Sequence, residues 1–342
     1  MLNSLKVSNF LVKKIVEPTL YVKKEGDETQ LILSLYVDDL LVTGENNAIP
    51  TNFKGKMESM FEMLYLGEMS YFLGMEVSQT QQGIFLSQKA FVLKILNKFS
   101  MQNYKATNTP VAVREKLSSQ CDFEKVCETS YRSLVGCLLY LTAIRLDIMY
   151  DVSLLSRFMH YCNVNHFQAA KRVLRYIKGT QSFRIMFTKV KSIKLLGFSD
   201  SDWAGSIDDM KSTSGSKKQT VVAQSTTEAE YVAAGGAVNQ AIWLMKIMAD
   251  LNSHQKEATE IKCDNQSVVA IAKNPVFHVK TKHFKINFCF VREMEQSQEV
   301  KLIHCSFEDQ LADILTKPLC VSRFKDLRAK LRVCIMQAKE EC

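Results

Sequence analysis

The apolar residues of this chain change their spacing at about residue 193, and that change constrains the fold more than any other feature. Before it, two pairs of short apolar runs precede a long stretch in which apolar residues recur every three or four positions. After it, strand-like and helix-like segments alternate. Such alternation is typical of an α/β domain with some parallel strand pairing. The sequence therefore predicts a domain boundary within residues 180–192.

The first part contains two predicted β-hairpins. The runs LILSLYV and LLV flank Asp38 and Asp39, which places both carboxylates at the tip of a hairpin. The runs YFLGMEV and GIFLSQ flank a polar turn and predict the second hairpin. The remaining predictions for this part are a helix over 88–99, a polar loop over 103–122 and packed helices over 129–178.

The second part reads as three strands and four helices. Strands are predicted at 192–200, 260–264 and 300–305. Helices are predicted at 227–251, 265–274, 281–296 and 308–317. Trp203 and Trp243 are predicted to be core residues, as large aromatic side chains usually are.

Composition narrows the compartment and the partners. The 342 residues carry a net charge of +8, which favours a polyanionic partner such as RNA or DNA. The ten cysteines contain no C-x-x-C pair, so reduced thiols are expected rather than a metal site or disulfides. No secretory signal and no membrane-length apolar run is found. We therefore expect an intracellular protein, cytoplasmic or nuclear and not secreted, that does not bind a membrane.

Four acids of the second part stand where an α/β fold gathers side chains. Asp200 and Asp264 end the first two predicted strands, while Glu230 and Asp313 lie on predicted helices. Two Mg²⁺ ions need several carboxylate oxygens held close together, and strand ends supply them. Singly, each acid also has an ordinary explanation: Glu230 as part of a capping box, Asp264 as a helix N-cap, and the other two as surface acids.

Asp38 and Asp39 also permit two interpretations. Adjacent acids at a hairpin tip are common as solvated turns, yet a polymerase needs such a pair to hold the metals that bridge nucleotide and primer. Basic residues likewise indicate either a phosphate-binding surface or a solvated face. They form two groups: Lys171, Arg172, Arg175 and Lys178, and then Lys280, Lys282 and His283.

Several long motifs resemble the Pol polyprotein of copia-type LTR retrotransposons. LYVDDLLVTG resembles the Y-x-D-D motif of its reverse transcriptase, and YRSLVGCLLYLTAIRLDIMYDVSLLSRFM is similar to its thumb. SDSDWAGSIDDMKSTSG, STTEAEYVA, KCDNQSVVAIAKN and EDQLADILTKPL are similar to its RNase H domain. The resemblance implies Mg²⁺ at two-metal sites, an RNA–DNA hybrid or other nucleic acid as ligand, and the remaining Pol segments as partners. Asp38 and Asp39 match the polymerase acids, and the other four acids match the RNase H metal ligands.

The resemblance implies an α/β protein with a truncated reverse transcriptase palm, a helical thumb and an RNase H-like mixed-sheet domain. The expected regions are a partial palm and start of the thumb, a helical thumb or connection, an RNase H-like domain and a helical tail, at 1–115, 116–190, 191–320 and 321–342.

The chain departs from the family in two places. The family has a third polymerase acid and nucleotide-binding fingers well upstream of Y-x-D-D, whereas only 35 residues precede Tyr36 here. We therefore expect no polymerase activity from this chain alone. Only Ser216 separates Gly215 from Lys217, where the family continues with an apolar hairpin segment, so we expect a shortened β-hairpin and an exposed sheet edge. Two further interpretations stay open: a non-catalytic nucleic-acid-binding remnant, and the inert translation of a decayed element.

Overall fold

The described residues form three sheets of three or more strands, one two-stranded sheet and a helical layer. The computed structural model describes residues 12–13, 16–26, 28–44, 48–113, 116–120, 123–190, 192–274 and 285–335. Within those ranges, every helix is too short or too polar to cross a membrane. The mixed α/β architecture predicted from the sequence is confirmed.

The first sheet is antiparallel and has the strand order β1-β2-β3-β4. Its strands are β1 (Val12–Lys13), β2 (Leu20–Glu25), β3 (Glu28–Tyr36) and β4 (Asp39–Gly44), and helix α1 (Ala48–Met60) follows. Side chains from β2, β3 and α1 form a small core, composed of Tyr21, Leu31, Leu33, Phe53 and Met57. The predicted hairpin is therefore confirmed, with Val37 and Asp38 as its two turn residues and Asp39 as the first residue of β4.

The second sheet joins the other predicted hairpin to the end of the described chain. Its strands are β5 (Tyr71–Phe72), β6 (Met75–Thr80), β7 (Gly83–Ser87), β8 (Phe183–Thr188) and β14 (Val333–Ile335), in the antiparallel order β14-β8-β7-β6-β5. The sequence did not predict β8 or β14. Both strands depend on partners far away in the chain, so the region predicted as a helical tail (321–342) ends its described part in a strand.

The helical layer confirms the periodic segments. It contains α2 (Lys89–Lys98), α3 (Glu128–Leu141), α4 (Met149–Ser156) and α5 (Val164–Gly179). Their apolar faces share one core with residues near the chain end, among them Ile314, Leu319, Phe324 and Leu327.

A buried polar network fixes the later part of the chain to this layer. Arg145 donates two hydrogen bonds to Asp147, at 2.9 and 2.8 Å, and Tyr176 Oη donates to the same carboxylate at 2.5 Å. Arg328 donates to Tyr176 Oη at 3.0 Å. Burial alone would raise the pKa of Asp147, but the Arg145 guanidinium lowers it. The carboxylate therefore stays charged inside the protein and holds the helix of Arg328 in place.

The third sheet is wholly parallel, with the order β13-β12-β9. Its strands are β9 (Leu196–Ser199), β12 (Thr259–Cys263) and β13 (Val300–His304). The helices that follow these strands or pack on them are α6 (Thr226–Asp250), α7 (Gln266–Lys273) and α8 (Lys285–Gln296). The last helix, α9 (Val321–Lys330), belongs with the helical layer, whose core contains its Phe324 and Leu327. The predicted alternation is confirmed, except that 308–317 forms two 3₁₀ turns, Phe307–Asp309 and Leu311–Leu315, and not one α-helix.

The outer edge of β9 has almost no hydrogen-bonded strand neighbour among the described residues. Beyond an isolated bridge from Ser201 to Ser214, its neighbour is a hairpin of two-residue strands, β10 (Thr213–Ser214) and β11 (Lys217–Lys218). Gly215 and Ser216 form its turn with φ of 49° and 69°, as a tight I′-type turn requires. A short hairpin therefore lies where the sequence analysis expected one, and its shortening relative to the family stays a prediction. The core prediction for the tryptophans was wrong: Trp203, next to this edge, is 53% exposed and Trp243 is 42% exposed.

Candidate active site

Four acids from four separate elements meet at the carboxyl end of the parallel sheet. Ser199 and Cys263 are paired in neighbouring strands, so Asp200 and Asp264 leave the sheet side by side. Ligand oxygens of Asp200, Asp264 and Asp313 lie within 4.8 Å of one another. Glu230, on the second turn of α6, forms a similar group with Asp264 and the Cys263 thiol. We call Asp200, Glu230, Asp264 and Asp313 the carboxylate pocket; the structure brings all four predicted acids together.

Glu230 is 8% exposed, and one of its two carboxylate oxygens has a hydrogen-bond partner in the described part of the chain. The backbone N–H of Ser201 donates to its Oε1 at 3.2 Å, whereas Oε2 is buried without a hydrogen-bond partner in the described part of the chain. Burial, reinforced by the negative charges of Asp200 and Asp264, raises the pKa of Glu230 to about 9. Without a cation, this side chain is therefore protonated at neutral pH.

Asp200 is held by the dipeptide Thr316–Lys317. Thr316 Oγ1 donates a hydrogen bond to Oδ2. Lys317 Nζ lies 3.3 Å from each oxygen of the carboxylate. Burial raises the pKa of Asp200 despite these partners, since Asp313 and Asp264 are close to it as well.

Asp313 is fully buried between two cations. Lys317 Nζ lies 2.8 Å from Oδ1, and Arg323 Nη2 lies 3.3 Å from Oδ2. Arg323 also donates to the carbonyls of Phe307 and Glu308, and so fixes the 3₁₀ turn that precedes the one carrying Asp313. The sequence analysis missed both cations, although the i,i+4 spacing of Asp313 and Lys317 was a usable signal.

Gln310 is a further residue that the sequence analysis missed. Its fully buried amide Nε2 donates to Ser199 O at 2.9 Å and approaches Asp264 Oδ1 at 3.4 Å. It therefore ties the turn before Asp313 to the strand ends that carry Asp200 and Asp264.

The donor set of the pocket fits a hard divalent cation. Carboxylate oxygens are the ligands that Mg²⁺ prefers, and Glu230 Oε2 is a buried oxygen, without a partner in the described part of the chain, that can bind a cation once its carboxyl group loses the proton. The neighbouring Cys263 does not suit a softer metal, because burial raises the pKa of its thiol to about 12.

Asp38 and Asp39 have a different environment. Both are exposed, and Tyr36 pairs with Asp39 beside the turn. Neither belongs to a metal-ligand group of three His, Cys, Asp or Glu side chains among the residues that the structure covers. Val37, between Tyr36 and Asp38, has a φ of 52°, which is unusual for a β-branched residue.

The four basic residues of α5 are largely engaged within the protein. Arg175 Nε donates to Lys105 O at 2.7 Å, and Lys178 Nζ donates to Tyr104 O at 2.6 Å. Arg172 donates to Thr109 Oγ1 at 3.3 Å, while the ammonium of Lys171 lies over the Phe167 ring. The hydrogen bonds of Arg172, Arg175 and Lys178 attach the loop that precedes α3 to helix α5. A role of the four residues in nucleic-acid binding stays a prediction. Lys280, Lys282 and His283 lie outside the described residues.

A cleft of about 460 Å³ adjoins the carboxylate pocket. It lies between α4 and the region around β10 and β11, and Lys317 lines both the cleft and the pocket. Other polar residues of its wall are Lys116, Arg157, Tyr161, Asp202 and Lys218. Lys317 therefore connects the wall of the cleft to the acids that it pairs with, Asp200 and Asp313.

Comparison with known proteins places the chain in a family. Residues 2–113 match the family described as reverse transcriptase (RNA-dependent DNA polymerase). The retrovirus-related Pol polyprotein from transposon RE1 of Arabidopsis thaliana is 36% identical over 335 residues, covering 94% of this chain and 23% of that protein. The corresponding polyprotein from transposon TNT 1-94 of Nicotiana tabacum is 34% identical and covers 93% of this chain and 26% of that protein.

A shorter relative is covered almost completely. An uncharacterized mitochondrial protein of Arabidopsis thaliana is 36% identical over 227 residues, which are 62% of this chain and 94% of that protein. No solved structure matches the chain. The chain spans about a quarter of the length of the polyproteins named above. Together with the motifs and the fold, these matches show that the chain belongs to the copia-type retrotransposon Pol polyprotein family.

Proposed function

We propose that residues 191–320 form an RNase H-like domain that hydrolyses the RNA strand of RNA–DNA hybrids with Mg²⁺. The observation that carries the proposal is the carboxylate pocket, in which acids from two parallel strands, a helix and a 3₁₀ turn converge around a buried, unpartnered oxygen. Such clusters in a cleft are typical of catalytic sites.

The residues of the pocket have separate tasks in this proposal. Asp200 and Asp264 would hold Mg²⁺ together with Glu230 and Asp313. When bound, a pair of Mg²⁺ ions supplies positive charge to the attacking and leaving oxygens of the phosphodiester. Thr316 orients Asp200, and the Ser201 N–H orients Glu230. Because Glu230 is protonated in the cation-free pocket, cation binding releases its proton.

We further propose that the earlier regions derive from the polymerase. In this assignment residues 1–115 are a partial palm and the start of the thumb, 116–190 are the helical thumb or connection, and 321–342 are a tail. Asp38 and Asp39 would be the polymerase acids, and the basic residues of α5 and of 280–283 would contact the hybrid backbone. RNA-directed DNA synthesis would require the remaining Pol segments as partners.

Hydrolysis of a labelled RNA–DNA hybrid by the purified chain tests the central proposal. We expect Mg²⁺-dependent cleavage that falls by about a thousandfold or more in Asp264→Asn, since a lost metal ligand removes several kcal/mol of transition-state stabilisation. Asp326→Asn is the matched control, because Asp326 lies on the surface and pairs with Lys330 in the same helix. Equal cleavage by the wild type and Asp264→Asn, or none by a folded wild type, would contradict the proposal.

A further inference from the structure

The ammonium group of Lys317 lies inside the carboxylate pocket. Its Nζ is 2.8 Å from Asp313 Oδ1 and 3.3 Å from each oxygen of Asp200. These oxygens belong to two of the four candidate metal ligands. A positive charge that belongs to the chain is therefore held where a cation is expected.

The surroundings of Lys317 keep it charged and in place. Its backbone N–H donates to Asp313 O at 3.1 Å, and the preceding Thr316 is hydrogen-bonded to Asp200. Burial alone would lower the pKa of Lys317, but Asp200 and Asp313 raise it to about 12. The side chain is still 31% exposed, so it can move toward the adjoining cleft without unfolding the pocket.

The pocket is consequently divided into two halves. In the first half, both oxygens of Asp313 form ion pairs, Oδ2 with Arg323 and Oδ1 with Lys317, although Oδ1 has no hydrogen bond of regular geometry in the described chain. In the second half, Glu230 Oε2 has no partner in the described chain, and Asp264 Oδ1 receives only a 3.4 Å contact from Gln310. In the described chain, Lys317 and Arg323 form ion pairs with the acids of the first half, whereas no ion pair reaches Glu230 or Asp264 in the second.

We propose that Lys317 is a tethered cation that occupies one of the two cation positions of the pocket. This inference rests on the proposed function. One divalent ion then binds readily between Glu230 and Asp264, whereas a second binds at Asp200 and Asp313 only after Lys317 withdraws. The cleft gives Lys317 a place to go, since Asp202 lines the same wall. An incoming phosphodiester is a further acceptor for the displaced ammonium, so occupation by substrate favours entry of the second ion.

Calorimetric titration of the full chain with Mn²⁺ tests the inference without relying on activity. We expect the wild type to bind one Mn²⁺ tightly and a second one weakly. Lys317→Met should tighten the second site at least about tenfold, because a like charge has been removed from contact distance. Lys317→Arg keeps the charge and should retain the wild-type pattern.

Lys218→Met is the matched control. Lys218 forms an ion pair with Asp209 at 2.7 Å, and its side chain is 32% exposed, close to the 31% of Lys317. It should bind Mn²⁺ as the wild type does. Thermal unfolding gives a second readout: Lys317→Met should be the least stable chain in EDTA and should gain the most from added Mn²⁺.

The outcomes separate the inference from the function beneath it. Two equally tight Mn²⁺ sites in the wild type, or an unchanged second site in a folded Lys317→Met, would overturn the inference and leave the metal site standing. Mn²⁺ binding that Asp264→Asn does not alter, or no binding by any chain, would overturn the proposed function as well.

Discussion

The hairpin tip and the carboxylate pocket contain the same residue type in opposite physical states. Asp38 and Asp39 are adjacent in sequence and exposed, and a single turn positions them. The acids of the pocket are separated by up to 113 residues, Asp200 to Asp313, and two parallel strands, a helix and a 3₁₀ turn bring them together. Acids at the tip are exposed to solvent, while Asp200, Glu230 and Asp313 are buried, and two cations, Lys317 and Arg323, lie beside Asp200 and Asp313.

This difference shows where burial and neighbouring charges contribute to the free energy of unfolding. In the pocket, burial raises the pKa of Asp200 and Glu230, and Lys317 opposes the shift at both sites. Exposed acids have little to gain or lose on folding, since water screens them. Metal binding to the pocket should therefore change the free energy of unfolding of this chain measurably, whereas metal binding at the hairpin tip should not.

The largest expected contrast is in the pH dependence of stability. Glu230 has a pKa of about 9 in the folded chain and of about 4.5 in an ordinary environment. Below pH 4.5 both states carry the proton; between 4.5 and 9 only the folded state does, so the free energy of unfolding falls as pH rises. In EDTA, Glu230→Gln should match the wild type at pH 4.5 and exceed its stability by on the order of a few kcal/mol at pH 8.

Urea denaturation at a series of pH values measures this effect. Asp39→Asn is the control from the hairpin tip: Asp39 is exposed, so the stability of this variant should stay within about 0.5 kcal/mol of the wild type. Saturating Mg²⁺ should reduce the advantage of Glu230→Gln, because the ion binds the ionised carboxylate. A Glu230→Gln curve parallel to that of the wild type would mean that Glu230 is not protonated in the folded chain.

A smaller effect is expected at Thr316. Its hydroxyl donates to Asp200 and is fully buried. Thr316→Val has nearly the same shape but removes the donor, so we expect a loss of about 1–2 kcal/mol of stability and weaker Mn²⁺ binding. Thr316→Ser restores the hydroxyl and should recover most of the binding. Thermal unfolding and calorimetry with these two variants would count against an orienting role for Thr316 if Val and Ser behaved alike.

Much of the pocket could be predicted from the sequence because its geometry is repetitive. The carboxyl ends of neighbouring parallel strands meet at one edge of a sheet, so Asp200 and Asp264 were brought together by alternation alone. Glu230 followed from the helical spacing of its segment. The hairpin tip was equally predictable, since two β-prone runs flank Asp38 and Asp39.

The parts that could not be predicted depend on contacts distant in sequence. The segment that carries Asp313 was predicted as an α-helix, but Gln310, Arg323 and the Thr316 hydroxyl bind it to other elements, and Pro318 follows at once. Strand β14 pairs with β8 across about 150 residues, a register that no local pattern encodes. In the sequence, Lys317 has the pattern of an ordinary surface lysine, and the fold is needed to show that Asp200 and Asp313 both lie beside it.

The smallest expected effect returns to the hairpin tip. Val37 is 77% exposed and has a φ of 52°, so its branched side chain gains little from burial and opposes its own backbone conformation. Val37→Gly should therefore stabilise the hairpin by about 0.5–1 kcal/mol, with Val37→Ala intermediate. Slower hydrogen exchange of the β3 and β4 amides in Val37→Gly would confirm the strain. Faster exchange would show that the side chain stabilises the turn, and the tip would then share with the pocket a dependence on specific contacts.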